Sequence, residues 1–255
     1  MYLFVAEPFI PVEFSAGAYR FGHSMVRESY DYNRYFGPGP GCITPATLDF
    51  LFSLTGPAKC RSARDAVTAS VPLPAIAIID WRRFFNVGEI PQRNASRRIN
   101  ARLAPRMHRL PGEKLPDDVT SLPLRNLRRG RAFGLPSGQA LAAEYDLPVL
   151  DPSRIAASGP DGEAAARHGF IHDTPLWYYV LKEAELMADG KHLGPLGSRI
   201  VAEVIIGLLE GDDRSFLSQR RDWKPELPCA TPNDFRLADM LRFLERRAPI
   251  IDPLG

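Results

Sequence analysis

The sequence predicts a mainly α-helical protein, and three observations predict it. Residues 193–209, Leu-Gly-Pro-Leu-Gly-Ser-Arg-Ile-Val-Ala-Glu-Val-Ile-Ile-Gly-Leu-Leu, are apolar nearly all round, as in a helix buried at the centre of a bundle. Thr174-Pro175 opens a second apolar run to Met187 as a helix start, with threonine as N-cap and proline at the first position. Little of the chain alternates with period two, so strands are scarce.

Taken in order, residues 1–12 read as an extended lead-in, because Pro8 and Pro11 stop a helix. Residues 13–27 contain no proline, and Phe14, Ala18, Phe21 and Met25 recur on one face, so the segment is expected to be a helix. His23 lies off that stripe and shares a face with Arg20, one turn earlier. Gly22 is costly inside a helix, which points to the close approach of a flat partner. Phe36 to Cys42 is a Gly/Pro loop. Residues 44–53 predict a short helix with Thr44 as N-cap. Residues 56–75 look irregular, and 75–85 form the next apolar segment. Residues 94–135 are arginine-rich and broken by Pro105, Pro111, Pro116 and Pro123. A helix is expected over 135–145, opened by a proline and a serine. A polar connection is expected over 151–169, then helices over 175–187 and 193–209, and a final amphipathic helix over 232–247.

Composition narrows the class. At 255 residues and 28.4 kDa, with 45% hydrophobic residues, the chain can bury a substantial core. A net charge of +2 argues against bulk electrostatic binding of nucleic acid. Of the 32 basic residues 5 are lysines, which leaves 27 arginines. Arginine suits bidentate carboxylate contacts better than lysine, although biased genomic composition is the simpler account of the excess. Cys42, Cys60 and Cys229 are far apart and odd in number, so no disulfide framework is expected. The first residues lack a basic n-region and are cut by Glu7, Pro8 and Pro11, unlike a signal peptide. No run is long enough to span a bilayer. A cytoplasmic setting is the expectation.

A histidine beside a glycine, with an arginine one turn away, suits a planar, metal-centred, carboxylate-bearing ligand such as haem. Ala18-Tyr-Arg-Phe-Gly-His-Ser-Met-Val26 resembles the proximal-histidine helix of the animal-type haem peroxidase superfamily, which includes myeloperoxidase, lactoperoxidase, thyroid peroxidase, peroxidasin and the cyclooxygenases. The match is closest to the bacterial branch. A second stretch, Leu124-Arg-Asn-Leu-Arg-Arg-Gly-Arg-Ala-Phe-Gly-Leu-Pro-Ser-Gly138, crowds four arginines around Asn126. By itself it reads as a solvated basic turn. Beside His23 it resembles the superfamily's asparagine–x–x–arginine–glycine–arginine segment. Asp80-Trp81 with Phe84-Phe85, and Gly194 to Val204, also resemble family members.

The resemblance implies haem b as cofactor, with His23 as the proximal iron ligand. It implies that Asn126 serves catalysis by accepting a hydrogen bond from that histidine, and that Arg20 and Arg129 face the haem propionates. It implies hydrogen peroxide and a small organic or halide substrate as reactants. It covers only the C-terminal part of the family's catalytic domain, so residues 1–255 are expected to form one incomplete domain, truncated at its N-terminus. The family's distal histidine and arginine, its calcium loop and its haem-esterifying carboxylates come from segments ahead of the proximal helix, and none is assigned here. His108, His168, His172 and His192 offer no obvious substitute. His168 and His172 are four apart, but Gly169 favours a loop over a metal pair on a helix. Two further readings remain open. One is an inactive remnant whose exposed apolar surface invites a partner chain or a missing N-terminal part. The other is a non-enzymatic helical module that binds anions through Arg125 to Arg131.

Overall fold

The computed structural model describes residues 8–55, 75–89, 93–110 and 120–251. Cys60, most of the expected irregular stretch at 56–75, Pro111 and Pro116 lie outside the described residues. Where described, the chain is mainly helical, as expected.

In chain order, a π-helical turn (Glu13–Gly17), a 3-10 turn (Ala18–Phe21) and α1 (Gly22–Met25) follow one another. β1 (Ser29–Tyr30) pairs antiparallel with β2 (Ala46–Thr47), Ser29 opposite Thr47. Then come α2 (Leu48–Thr55), 3-10 turns at Ala75–Ala77, Trp81–Arg83 and Pro105–His108, and α3 (Leu122–Ala132). The rest is α4 (Gly138–Glu144), α5 (Pro152–Ala156), α6 (Pro160–Arg167), α7 (Leu176–Ala188), α8 (Pro195–Gly211), α9 (Phe216–Gln219) and α10 (Leu237–Glu245).

The described residues fall into two compact units. One takes those of Met1–Val26 and Arg97–Arg221, the other those of Arg27–Ser96 and Asp222–Gly255.

The core of the first unit is α7. Leu176, Trp177 and the whole run from Tyr179 to Ala184 are buried. The expectation that residues 193–209 form the buried central helix is therefore corrected. On α8 only Leu196, Gly197, Ile200 and Val204 are buried, while Ile205, Ile206 and Leu209 are exposed. Buried polar groups on α7 are all satisfied. Glu183 accepts from the backbone N–H groups of Leu196 and Gly197, both at 3.0 Å, so it caps the first turn of α8. Lys182 is fully buried and reaches Asp161 at 2.7 Å and Glu185 at 2.8 Å. The Tyr178 hydroxyl donates to Asp161 at 2.9 Å.

Other expectations shift locally. The segment from Glu13 is helical to Met25 but changes winding twice, first where Gly17 (φ −110°, ψ −96°) leaves the helical region and again at Gly22. Thr174 does not cap α7. Its hydroxyl donates to the Phe170 carbonyl at 2.7 Å, and the helix begins one residue after Pro175. Residues 151–169 hold two short helices rather than a plain connection, the first capped by Asp151, which accepts from the Ser153 N–H. α2 is entered from β2, with the Thr47 hydroxyl accepting from the Phe50 N–H in place of the expected Thr44 cap. Ser137 caps α4 by accepting from the Ala140 N–H, in keeping with the expected proline-serine opening.

In the second unit, buried Asn33 organises a turn. Its Nδ2 donates to the carbonyls of Ile76 and Ile78, and its Oδ1 accepts from the N–H groups of Tyr35 and Phe36. Asp80, also buried, is held by Arg82 and Arg83.

α7 tolerates no bulk where the backbones of its neighbours touch it. A Cβ on Gly138 would lie 1.9 Å from Tyr179 Cγ. Gly138→Ala is expected to cost about 1–3 kcal/mol or more of stability. A Cβ on Gly22 would meet nothing within 4 Å. Gly22→Ala is expected to be neutral or to stabilise by up to about 1 kcal/mol. Urea midpoints at unchanged m values check both.

Candidate functional site

α3 presents an unusual face. It carries Arg125, Arg128, Arg129 and Arg131, and the side chain it buries is an amide, Asn126. Most helices bury an apolar stripe, and a buried amide requires partners. Asn126 finds them on the helical segment of Arg20 and His23. Its Nδ2 lies 3.0 Å from His23 Nδ1, across 103 residues of sequence. Its Oδ1 accepts from Arg20 Nη1 at 2.8 Å.

The rest of Arg20 is equally constrained. Its Nε donates to the Ser15 carbonyl at 3.0 Å, across the change of winding at Gly17. Its own carbonyl accepts from Trp177 Nε1 at 3.3 Å, which ties the segment to α7. The sequence-predicted residues Arg20, His23 and Asn126 are thus brought together. Arg129 is exposed and stacks its guanidinium over Phe133, 5.5 Å from the ring centroid.

The polarity of the His23–Asn126 contact differs from the expectation. A guanidinium has five N–H donors and no acceptor, so Arg20 must face the amide oxygen. That leaves the amide nitrogen toward His23, and Asn126 donates to Nδ1 instead of accepting from it. Nδ1 is then the acceptor nitrogen, and the ring proton sits on Nε2. Among the described residues, Nε2 makes no hydrogen bond.

The electrostatics are one-sided. Burial, then the charges of Arg20 and Arg125, push the His23 pKa below its ordinary value, so the imidazole is neutral. Burial, then Arg129 and Arg125, also lower that of Arg20. Among the described residues, no carboxylate pairs with Arg20, Arg125 or Arg129. The result is an imidazole ringed by uncompensated positive charge. That suits a ligand combining an electrophilic centre with carboxylates. Gly22 sits beside open space, so nothing in the described chain makes the close approach that its presence suggested.

Other histidines stand apart. His108, His168, His172 and His192 are exposed, with His192 Nδ1 2.7 Å from the Leu193 carbonyl. His168 follows the end of α6 and is separated from His172 by Gly169 in the left-handed region (φ +77°). Among the described residues, no three His, Cys, Asp or Glu side chains gather to hold a metal ion. No described helix is long and apolar enough to cross a membrane. A cavity of about 630 Å³ lies against α3 and α7, with Asn126, Leu135, Asp161, His168 and Tyr178 in its walls; His23 and Arg20 do not line it.

Sequence reasoning missed the Asp161–Lys182–Tyr178 cluster, of which Asp161 and Tyr178 line that cavity. Burial acts to raise the Asp161 pKa, but Lys182, the Tyr178 hydroxyl and a backbone N–H together outweigh it and hold the carboxyl low. Lys182 and Glu185 are i, i+3 partners visible in sequence, whereas nothing local points to Asp161.

No protein-family profile matches the chain, and no curated protein matches it. Its fold is similar to that of peroxidase A from Dictyostelium discoideum, with a TM-score of 0.50 and 21% identity. The match covers 87% of this chain and 42% of that one, so the chain spans less than half the length of the solved protein. The likeness establishes a peroxidase-like helical fold.

His23 predicts a pH signature. Its folded pKa lies below the unfolded value of about 6.5, so below that pH the unfolded state binds more protons. The stability it contributes is present above pH of about 6.5 and is lost as the pH falls. The stability difference between the parent and His23→Gln, measured by urea unfolding from pH 8 to 5, should shift against the parent as pH drops. A shift in its favour would mean that the histidine is charged in the fold.

Proposed function

We propose that this chain provides the proximal half of a haem peroxidase site. The observation that carries the reading is the 3.0 Å contact between the Asn126 amide and His23 Nδ1, beside guanidiniums that no carboxylate neutralises among the described residues. A haem iron needs an axial imidazole whose far nitrogen is held by a partner that fixes the ring. His23 would be that ligand and Asn126 that partner. Arg20 and Arg129 would hold the propionates of haem b. The donor set fits the group: one neutral imidazole, and charge available for buried carboxylates.

Bound haem would supply the two-electron reduction of hydrogen peroxide and the oxidation of a small organic or halide substrate. The chain's own residues bind and orient. Asn126 keeps the imidazole plane fixed through Nδ1, and α7 holds the Arg20 backbone through Trp177. The open space beside Gly22 leaves room for a flat group next to His23. Peroxide chemistry also needs a base to move a proton and a cationic group to assist O–O cleavage, and neither is assigned among the described residues. Residues 1–255 would act as the C-terminal portion of a catalytic domain.

A haem titration of the purified chain followed at the Soret band tests the reading. A saturable one-to-one spectrum that His23→Ala abolishes is the expected result. Retention of the same spectrum in His23→Ala would remove the histidine from the iron. Arg129→Met should weaken haem binding only a few-fold, since an exposed ion pair contributes about 1 kcal/mol or less. Binding of a polyanion that weakens steeply with salt, with no haem spectrum, would favour the anion-binding module instead.

A further inference from the structure

The order of contacts Arg20–Asn126–His23 has a chemical consequence for the imidazole. A histidine binds a metal through a nitrogen that carries no proton, and its other nitrogen then carries N–H. Of the two ring nitrogens, Nδ1 is occupied by Asn126, so Nε2 is the one left to face a ligand. With Arg20 on the amide oxygen, Nε2 is the protonated one and its lone pair is unavailable. Turning the Asn126 amide by half a rotation would present its oxygen to Nδ1–H and free Nε2. Arg20 prevents that turn, because an N–H of the amide would then face an N–H of the guanidinium.

Arg20 is poised to leave. Its partners are neutral: the Asn126 oxygen at 2.8 Å and the Ser15 carbonyl at 3.0 Å. A carboxylate binds a guanidinium about twice as strongly as a neutral acceptor and in bidentate geometry. Arg125 and Arg129 add repulsion that an incoming anion relieves.

We propose that Arg20 and Asn126 form a tautomer gate on His23, closed while Arg20 holds the amide oxygen and opened when a carboxylate of the incoming ligand takes Arg20 away. In the opening step the N–H bond at Nε2 breaks and one forms at Nδ1, with the proton exchanged through water and none gained or lost. Asn126 rotates and becomes an acceptor. Coordination at His23 then depends on carboxylate recognition at Arg20, so a planar metal chelate without carboxylates is refused. Arg20 and Asn126 are positioning residues, acting on a ligand through His23. The ligand side of this inference rests on the haem reading above; the tautomer side rests only on the contacts.

The test is the nitrogen NMR spectrum of histidine-labelled, ligand-free protein near neutral pH, with circular dichroism confirming the fold of each variant. In the parent, His23 should show a protonated, pyrrole-type Nε2 and a pyridine-type Nδ1. Arg20→Met removes the obligate donor and Asn126→Asp supplies an acceptor to both neighbours, and in each the major tautomer should invert to Nδ1–H. A parent with Nδ1–H, or no change in either folded variant, overturns the gate. Metal-free protoporphyrin IX, which brings propionates but no iron, should invert the parent tautomer where its dimethyl ester does not. Porphyrin binding seen by absorbance without inversion overturns the ligand-driven opening. Inversion in the variants with no binding of porphyrin or haem at all upholds the gate and refutes the haem reading.

Discussion

The closeness of backbones around α7 is the constraint on which the first unit depends. A helix buried over most of its circumference needs its neighbours to come nearer than side chains usually allow. Gly138 on α4 and Gly194 ahead of α8 make that possible, for a Cβ at either would overlap Tyr179 or Glu183. The same proximity lets Glu183 reach past Gly194 to the first free N–H groups of α8. One carboxylate therefore satisfies two backbone donors and fixes the register of two helices. Burial raises the Glu183 pKa while those N–H groups oppose the rise, which sets how much charge the cap carries. Burial also pushes the Tyr179 hydroxyl up to about 12, so that group stays neutral while it accepts from the Leu150 N–H at 2.9 Å.

From that packing the candidate site follows. Trp177 faces the segment of Arg20 and His23 and holds the Arg20 carbonyl. The segment is wound three ways in thirteen residues, from Glu13 to Met25, and the tight and loose turns around Gly17 bring the Arg20 side chain back onto the Ser15 carbonyl. Breaks of this kind in helical winding concentrate at functional sites. α3 then needs only one buried contact to be placed, and it is a polar one. An amide with two fixed neighbours has one orientation, whereas an apolar side chain there would leave His23 Nδ1 without its amide and Arg20 with the Ser15 carbonyl alone. The site is thus specific in direction as well as position.

The exposed apolar side of α8, with Ile205, Ile206 and Leu209, stands in contrast to its buried first half. Its sequence is evenly apolar, so periodicity gives no hint of which half lies inside. Thr174 behaves similarly. Its type and its place before Pro175 are those of an N-cap, but its hydroxyl oxygen accepts from Gln139 Nε2 at 2.7 Å and the helix starts beyond Pro175.

The sequence by itself determined the helical class, the proline and serine signals that open α4, and the kinship in one segment of Arg20, Gly22 and His23, because periodicity and capping are local properties of the chain. It also marked Asn126 and Arg129, through a motif rather than through any contact. Tertiary structure decided which helix is central, since burial depends on what surrounds a helix and not on its own composition. It joined Asn126 to His23 across 103 residues, and it placed Arg129 over Phe133 in the open. It alone decided the direction of the Asn126 amide. That direction depends on a third group, Arg20, which can only donate, and no reading of the His23–Asn126 pair by itself contains it.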